Sequence, residues 1–112
     1  MKPNELIAAF IDVIQEQDYV FDEKAIEDIP SLQQKLSSLK NISSESLAEE
    51  IRQWYINHES VRDAVLVTER EITKVRRNNP ASQENTIENR YRIISDELKK
   101  IVDKKQQSSQ QS

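Results

Sequence analysis

The stretch IENRYRIISDELKKI at residues 87–101 has the clearest periodicity in the chain. Its apolar residues are separated by four, three, four and three positions: Ile87, Tyr91, Ile94, Leu98 and Ile101. This spacing keeps one side of a helix, here called the seam, against a neighbour. Two heptads are fewer than the three or four that indicate a coiled coil, so we expect the seam to pack inside the domain. Pairing with a second copy of the chain is the alternative.

Helical patterns also fill the first part of the chain. The apolar stripe over Leu6–Ile14 covers nearly half of a helical circumference, which predicts a first helix buried between two neighbours. Asp22 is a predicted N-cap for a short second helix, which Pro30 ends or kinks. Ser31 with Gln34 has the form of a capping box and predicts the start of a third helix.

Three more helices are predicted from the middle of the chain onward. The Ser43-Ser44 pair precedes a fourth helix, whose inward side carries Trp54 and His58. Ser60 opens a fifth helix in a capping-box-like pattern. Asn79, followed by a proline, is a good N-cap for a sixth helix that contains the seam.

Composition fits this helical pattern. The chain has 112 residues, of which 36% are hydrophobic, and it contains no Gly and no Cys. Because hairpin turns and phosphate-binding loops depend on Gly for positive φ, its absence disfavours β-sandwich and Rossmann-type folds. We therefore predict an all-α fold: one compact bundle of five or six short helices over residues 1–105. The polar residues 106–112 form a predicted disordered tail, since they cannot bury apolar surface.

Few residues could support catalysis or hold a cofactor. His58 is the only histidine, and its position beside Trp54 predicts a packed, hydrogen-bonded side chain. The sequence has no Glu-x-x-His or His-x-x-x-His pair and no acidic calcium loop, which disfavours a metal site. The adjacent carboxylates Glu49 and Glu50 point about 100° apart on a helix and cannot share a proton. We expect no enzyme activity, no cofactor, no metal and no small-molecule substrate.

Charge is distributed unevenly along the chain. Residues 1–50 carry 4 basic and 11 acidic side chains, whereas residues 51–112 carry 12 basic and 9 acidic ones, so the halves differ in sign at −7 and +3. On the fifth predicted helix, basic side chains gather away from the apolar stripe, with one leucine among them. This predicted partner-binding face consists of Arg62, Leu66, Arg70, Lys74 and Arg77. An apolar anchor with a charged rim is typical of protein interfaces.

A second candidate contact is the segment between the first two helices. Tyr19, Val20 and Phe21 either close one end of the bundle or offer an apolar anchor to a partner. Closing the bundle is the interpretation that their position favours.

These features together predict a small protein–protein interaction module, such as an adaptor, regulator or assembly factor. Its partner is another protein, or a second copy through the Ile87–Ile101 seam. The alternative function is a nucleic-acid-binding regulator that uses the basic face of the fifth helix, although the acidic pI of about 5.1 argues against it. With no cysteine, no apolar stretch of about 20 residues and no secretory signal, we expect a cytoplasmic protein without a membrane span.

Overall fold

The computed structural model describes the backbone of residues 3–76 and 87–111, and the side chains of this part except those of residues 72–76 and 105–111. In this part of the chain, five α-helices form the bundle: α1 (Pro3–Glu16), α2 (Glu23–Ser37), α3 (Ser44–Tyr55), α4 (Glu59–Arg76) and α5 (Ile87–Gln111). A short 3-10 helix over Asp18–Val20 connects α1 to α2. The Cα radius of gyration is 14.0 Å, close to the roughly 13 Å expected for a compact chain of this length. The predicted all-α bundle is confirmed.

The first helix, α1, lies at the centre of the bundle. It packs against α3, α4 and α5, so the wide apolar stripe meets three neighbours instead of the two predicted. Its side chains that face these neighbours are buried: Leu6, Ile7, Ala9, Phe10, Val13 and Ile14. A helix with apolar residues on nearly half of its circumference gains most from burial when several neighbours cover it.

Two helix starts are capped by side chains, and the cap of the first was predicted from the sequence. The Asp22 side chain accepts a hydrogen bond of 2.8 Å from the backbone N–H of Ala25, which confirms Asp22 as the N-cap of α2. At the start of α3, the Ser43 hydroxyl accepts from the backbone N–H of Ser46 at 3.1 Å, and the Ser46 hydroxyl oxygen accepts from the backbone N–H of Ser43 at 3.0 Å. Each pair satisfies N–H groups that a helix start leaves without a carbonyl partner.

The sequence predicted that Pro30 ends or kinks the second helix. The predicted end is wrong, because α2 continues through Pro30, whereas the kink stays a prediction. Proline has no N–H to donate to the carbonyl of Ile26, and its ring crowds that carbonyl. The ring itself is exposed. The buried residues on both sides of it belong to one face of a single helix: Ala25, Ile29, Leu32 and Leu36. Burial of that continuous face outweighs the lost hydrogen bond, and Ser31 lies inside the helix instead of capping a new one.

The start of α4 also differs from its prediction. The backbone N–H of Arg62 donates to the carbonyl of His58 at 2.9 Å, so α4 begins at Glu59. Ser60 therefore lies within the first turn and is not its N-cap. The predicted Asn79 cap of the last helix lies outside the described residues.

The seam of α5 faces the interior of the bundle. Ile94, Leu98 and Ile101 are buried, and Ile87 and Tyr91 pack against the core while partly exposed. The helical backbone reaches Gln111, whereas the side chains from residue 105 onward are outside the described part. The disorder of residues 106–112 therefore stays a prediction.

Polar contacts at both ends of α5 fix its direction. The Arg90 guanidinium, 6% exposed, donates to the backbone carbonyl of Asn4 at 3.2 Å. At the other end, the Lys104 ammonium lies 3.2 Å from the Asp18 carboxylate. Both contacts join residues 86 positions apart, so α5 runs parallel to α1.

Replacing Pro30 tests the continuity of α2. We expect Pro30→Ala to raise the free energy of unfolding by about 1–3 kcal/mol, because alanine restores a helical N–H and removes the ring. Urea denaturation followed by circular dichroism measures the change. Ser31→Ala is the matched control, since it alters only helix propensity at the next exposed position, by about 0.5 kcal/mol. A gain no larger than that of the control would contradict a continuous helix.

Candidate functional site

The predicted face lies on the outer side of α4. The inner side of this helix buries Val61, Val65 and Thr68. Residues about half a turn away therefore point outward, and they include Leu66 and Arg70. The helix packs on α1, which holds this outer side in a fixed position.

The structure brings together only part of the predicted face. Arg70 is exposed and Leu66 is partly exposed, one turn apart. Arg62 is bound within its own helix: its Nη2 lies 3.2 Å from the Asp63 carboxylate. The Lys74 side chain and all of Arg77 lie outside the described part of the chain, so their place on the face stays a prediction.

Val67 is the residue that the sequence prediction missed. Its side chain is 55% exposed, directly beside Leu66 in the chain. A signal for it exists in the sequence, because Ala64–Val67 is apolar on all sides of the helix. Since a surface helix buries only one side, some residue of such a stretch must face water. The outer side of α4 therefore carries two apolar side chains, Leu66 and Val67, which point about 100° apart.

Charges on the outer side of α4 are mixed. The carboxylates of Glu59 and Asp63 are 80% and 61% exposed at its first turns, and Glu71 is exposed near Arg70. The outer side of α4 therefore carries two apolar side chains among charges of both signs, and is not a uniformly basic surface.

Aromatic rings close the end of the bundle at which α1 and α3 finish. The Trp54 ring lies 6.5 Å from Phe10 in an edge-to-face arrangement and 6.0 Å from Phe21. Phe21 is buried, whereas Tyr19 is 77% exposed. One aromatic residue of the segment thus closes the bundle, as predicted, and the other faces outward.

His58 is packed and hydrogen-bonded, as the sequence predicted. Its ring lies 4.4 Å from the Trp54 ring, and its Nε2 is 2.7 Å from the Asp28 carboxylate. The indole N–H of Trp54 donates to the backbone carbonyl of Asp28 at 3.0 Å. The side chain lies in the α3–α4 connection and not within a helix. The contacts of His58 and Trp54 with Asp28 therefore hold the α3–α4 connection against α2.

A polar cluster joins α4 to α1 and α3. The Gln17 amide donates to the Thr68 hydroxyl at 3.0 Å. Burial raises the pKa of the Glu69 carboxyl, and the carboxylate of Glu5 raises this pKa further. Burial also raises the pKa of the Tyr55 hydroxyl, with a second contribution from Glu69. Burying the Glu69 carboxyl therefore costs less free energy when this group is protonated.

Open grooves also lie between other helices of the described part of the chain, one between α1 and α3 and another between α2 and α3. The groove between α1 and α3 measures about 210 Å³ and has an apolar floor that includes Leu6 and Ala48. On its rim, Arg52 pairs with Glu49 at 3.0 Å. The other groove, between α2 and α3, measures about 570 Å³ and is lined mostly by Ser and Gln. Neither lining includes the histidine of the chain.

Within the described residues, no group of three or more His, Asp or Glu side chains is placed to hold a metal ion. Among the helices of that same part, none is both long enough and apolar enough to cross a membrane.

Comparison with known proteins gave no relative of this chain: no family model, no curated protein and no solved structure matches it.

Removing Asp28 tests the tie between α2 and the α3–α4 connection. We expect Asp28→Ala to lower the free energy of unfolding by about 1 kcal/mol, because the His58 ring loses a charged hydrogen-bond partner. Urea denaturation followed by Trp54 fluorescence measures the loss. The control is Glu27→Ala, which removes an exposed carboxylate one position earlier. Equal stability of the two variants would mean that the 2.7 Å contact does not stabilise the fold.

The Glu69 carboxyl predicts a pH-dependent difference in stability. A raised pKa in the folded state means that stability is greatest while the group is protonated and falls as pH rises through that pKa. We expect Glu69→Gln to unfold at a higher urea concentration than the wild type at pH 7, and the difference to vanish below pH ~4. The control Glu71→Gln removes an exposed carboxylate. A difference that is independent of pH would contradict the assignment.

Proposed function

We propose that this chain is a small protein-binding module, an adaptor, regulator or assembly factor, that holds its partner against the outer side of α4. The observation that carries the proposal is the 55% exposure of Val67 beside the partly exposed Leu66. Isolated exposed apolar residues are ordinary. Leu66 and Val67 point about 100° apart on α4, and the exposed Arg70 lies one turn further along, between them. Two apolar side chains on either side of an arginine, on a helix packed against the core, resemble an interface that combines apolar contact with charge.

The charged rim indicates the chemistry of the partner. Arg70 is exposed, and arginine makes two parallel hydrogen bonds to a carboxylate. A protein surface that offers an apolar hollow for Val67 and a carboxylate for Arg70 fits this face. Glu59 and Asp63 at the other end of the face favour a basic group on the same partner.

Nucleic acid is the alternative partner of the same face. The exposed carboxylates of Glu59 and Asp63 oppose it, because they repel phosphates at the place where a basic surface would need to continue. Arg62, which the sequence placed on that surface, pairs with Asp63 instead. These contacts favour a protein. The lack of cysteine supports a reducing compartment, and we place the interaction in the cytoplasm.

Site-specific crosslinking tests the proposal. A photo-crosslinking residue replaces Val67 in the full chain, and the same residue replaces Lys24, exposed on α2, as the control. We expect a defined protein adduct from position 67 that position 24 does not give. Adducts that are the same at both positions, or adducts with nucleic acid, would reject the proposal.

Charge reversal then tests the role of Arg70 with the purified partner. We expect Arg70→Glu, alone and together with Lys74→Glu, to slow association by about tenfold at low salt, because the rim charge steers the encounter. Arg92→Glu is the matched control, since Arg92 is exposed on α5. Stopped-flow measurement gives the rates, and circular dichroism verifies that each variant stays folded. Equal association rates for Arg70→Glu and Arg92→Glu would exclude this face.

A further inference from the structure

A second surface lies where two helix connections meet. The α1–α2 connection contains Phe21, whose ring is 6.0 Å from Trp54 at the end of α3. The α3–α4 connection contains His58, whose ring stacks on Trp54 at 4.4 Å. Both connections therefore lie against the same indole ring, at one end of the bundle.

Each connection buries one ring and exposes one large apolar side chain. Phe21 and His58 pack inward, whereas Tyr19 is 77% exposed and Ile56 is 51% exposed. Each exposed residue is two positions from a buried ring in its own connection. Among the described residues, Tyr19, Ile56 and Val67 are the three large apolar side chains with this degree of exposure, and two of them belong to this end.

Backbone hydrogen bonds hold the main chain at these two residues in place. The backbone N–H of Phe21 donates to the carbonyl of Asp18 at 3.1 Å, which closes the 3-10 turn around Tyr19. The backbone N–H of Ile56 donates to the carbonyl of Arg52 at 3.2 Å. A partner would thus meet a pre-organised surface, and binding would cost little ordering of the chain.

The charge around this end is strongly acidic. Residues 18–28 carry five acidic side chains and one basic one, and residues 56–63 carry two acidic and one basic. Lys104 pairs with Asp18 and offsets one of these charges, which leaves a net charge of −4. The exposed Glu59 carboxylate, 3.9 Å from Arg62, lies next to this connection.

We propose that this end, called here the Tyr19/Ile56 surface, binds a basic polypeptide segment of another protein. The Lys or Arg side chains of that segment face the acidic rim, and its aliphatic or aromatic residues pack on Tyr19 and on Ile56. Charge complementarity selects this class of partner. The acidic rim repels nucleic-acid phosphates and anionic membrane surfaces.

The Tyr19/Ile56 surface has other apolar side chains than the outer side of α4, although the exposed carboxylates of Glu59 and Asp63 lie beside both. Two surfaces of this kind let one small bundle hold two proteins together. The two proposals rest on different apolar side chains and on different experiments, so each can fail without the other.

The experiment uses two synthetic amphipathic peptides, one built of Leu and Lys and the other built of Leu and Glu. Each is titrated into the full ¹⁵N-labelled chain, and amide chemical shifts are followed by NMR. We expect saturable shifts from the Leu/Lys peptide at residues 17–23 and 54–60, and none there from the Leu/Glu peptide. The affinity should fall as salt is added, because exposed charges are screened.

Substitutions then separate a specific surface from general charge attraction. We expect Tyr19→Ser and Ile56→Ser each to weaken binding of the Leu/Lys peptide by about tenfold, the loss expected from removing one well-covered apolar side chain. Both side chains are exposed, so the fold should be retained. Val67→Ser is the matched control on α4 and should leave this affinity unchanged.

Several results would overturn the proposal. Shifts spread over the whole chain, or an unchanged affinity of Tyr19→Ser and Ile56→Ser, would mean that the peptide is held by net charge alone. Light scattering on the free chain tests whether a second copy of this chain, instead of another protein, occupies the Tyr19/Ile56 surface. A mass of about twice 13.1 kDa that returns to the monomer value in Tyr19→Ser would show that a second copy, and not a foreign basic segment, covers this end.

Discussion

The burial of α1 is the constraint on which the rest of the bundle depends. Its apolar side chains are too widely spread around the helix for one neighbour to cover, and α3, α4 and α5 each pack against part of them. The polar contacts of Asn4 and Gln17 then fix its two ends against α5 and α4. With the centre fixed in this way, the outer sides of the surrounding helices and the connections between them are left for contact with other molecules.

Local signals in the sequence predicted most helices correctly because their causes are local. Apolar spacing identified α1 and the α5 seam, and the side chain of Asp22 caps α2 within three residues of itself. Pro30 misled the prediction, because its cost is local while the gain that outweighs it comes from burying a face formed by both halves of α2. No pattern among neighbouring residues indicates this gain in stability. The start of α4 was misplaced for a smaller reason: the backbone carbonyl of His58, and not the Ser60 hydroxyl, receives its first helical hydrogen bond.

Surface residues were harder to predict than buried ones. Sequence spacing placed Leu66 and Arg70 on one side of a helix, but it could not show that Arg62 turns toward Asp63. It identified the Tyr19–Phe21 segment and could not decide which ring faces inward, since a connection has no periodicity. That choice depends on the Trp54 ring from a distant part of the chain. The same long-range contact sets the exposure of Tyr19, and with it the second proposed surface.

The backbone of the bundle needs no residue with special conformational freedom. No described residue has a positive φ angle, and the sequence contains no glycine. The ends of α2 and α3 are formed by residues in ordinary right-handed or extended conformations. Alanine is therefore sterically acceptable throughout the described part of the chain. A systematic alanine scan of this protein would report side-chain contacts and helix propensity, without the backbone strain that complicates such scans in proteins whose turns rely on glycine.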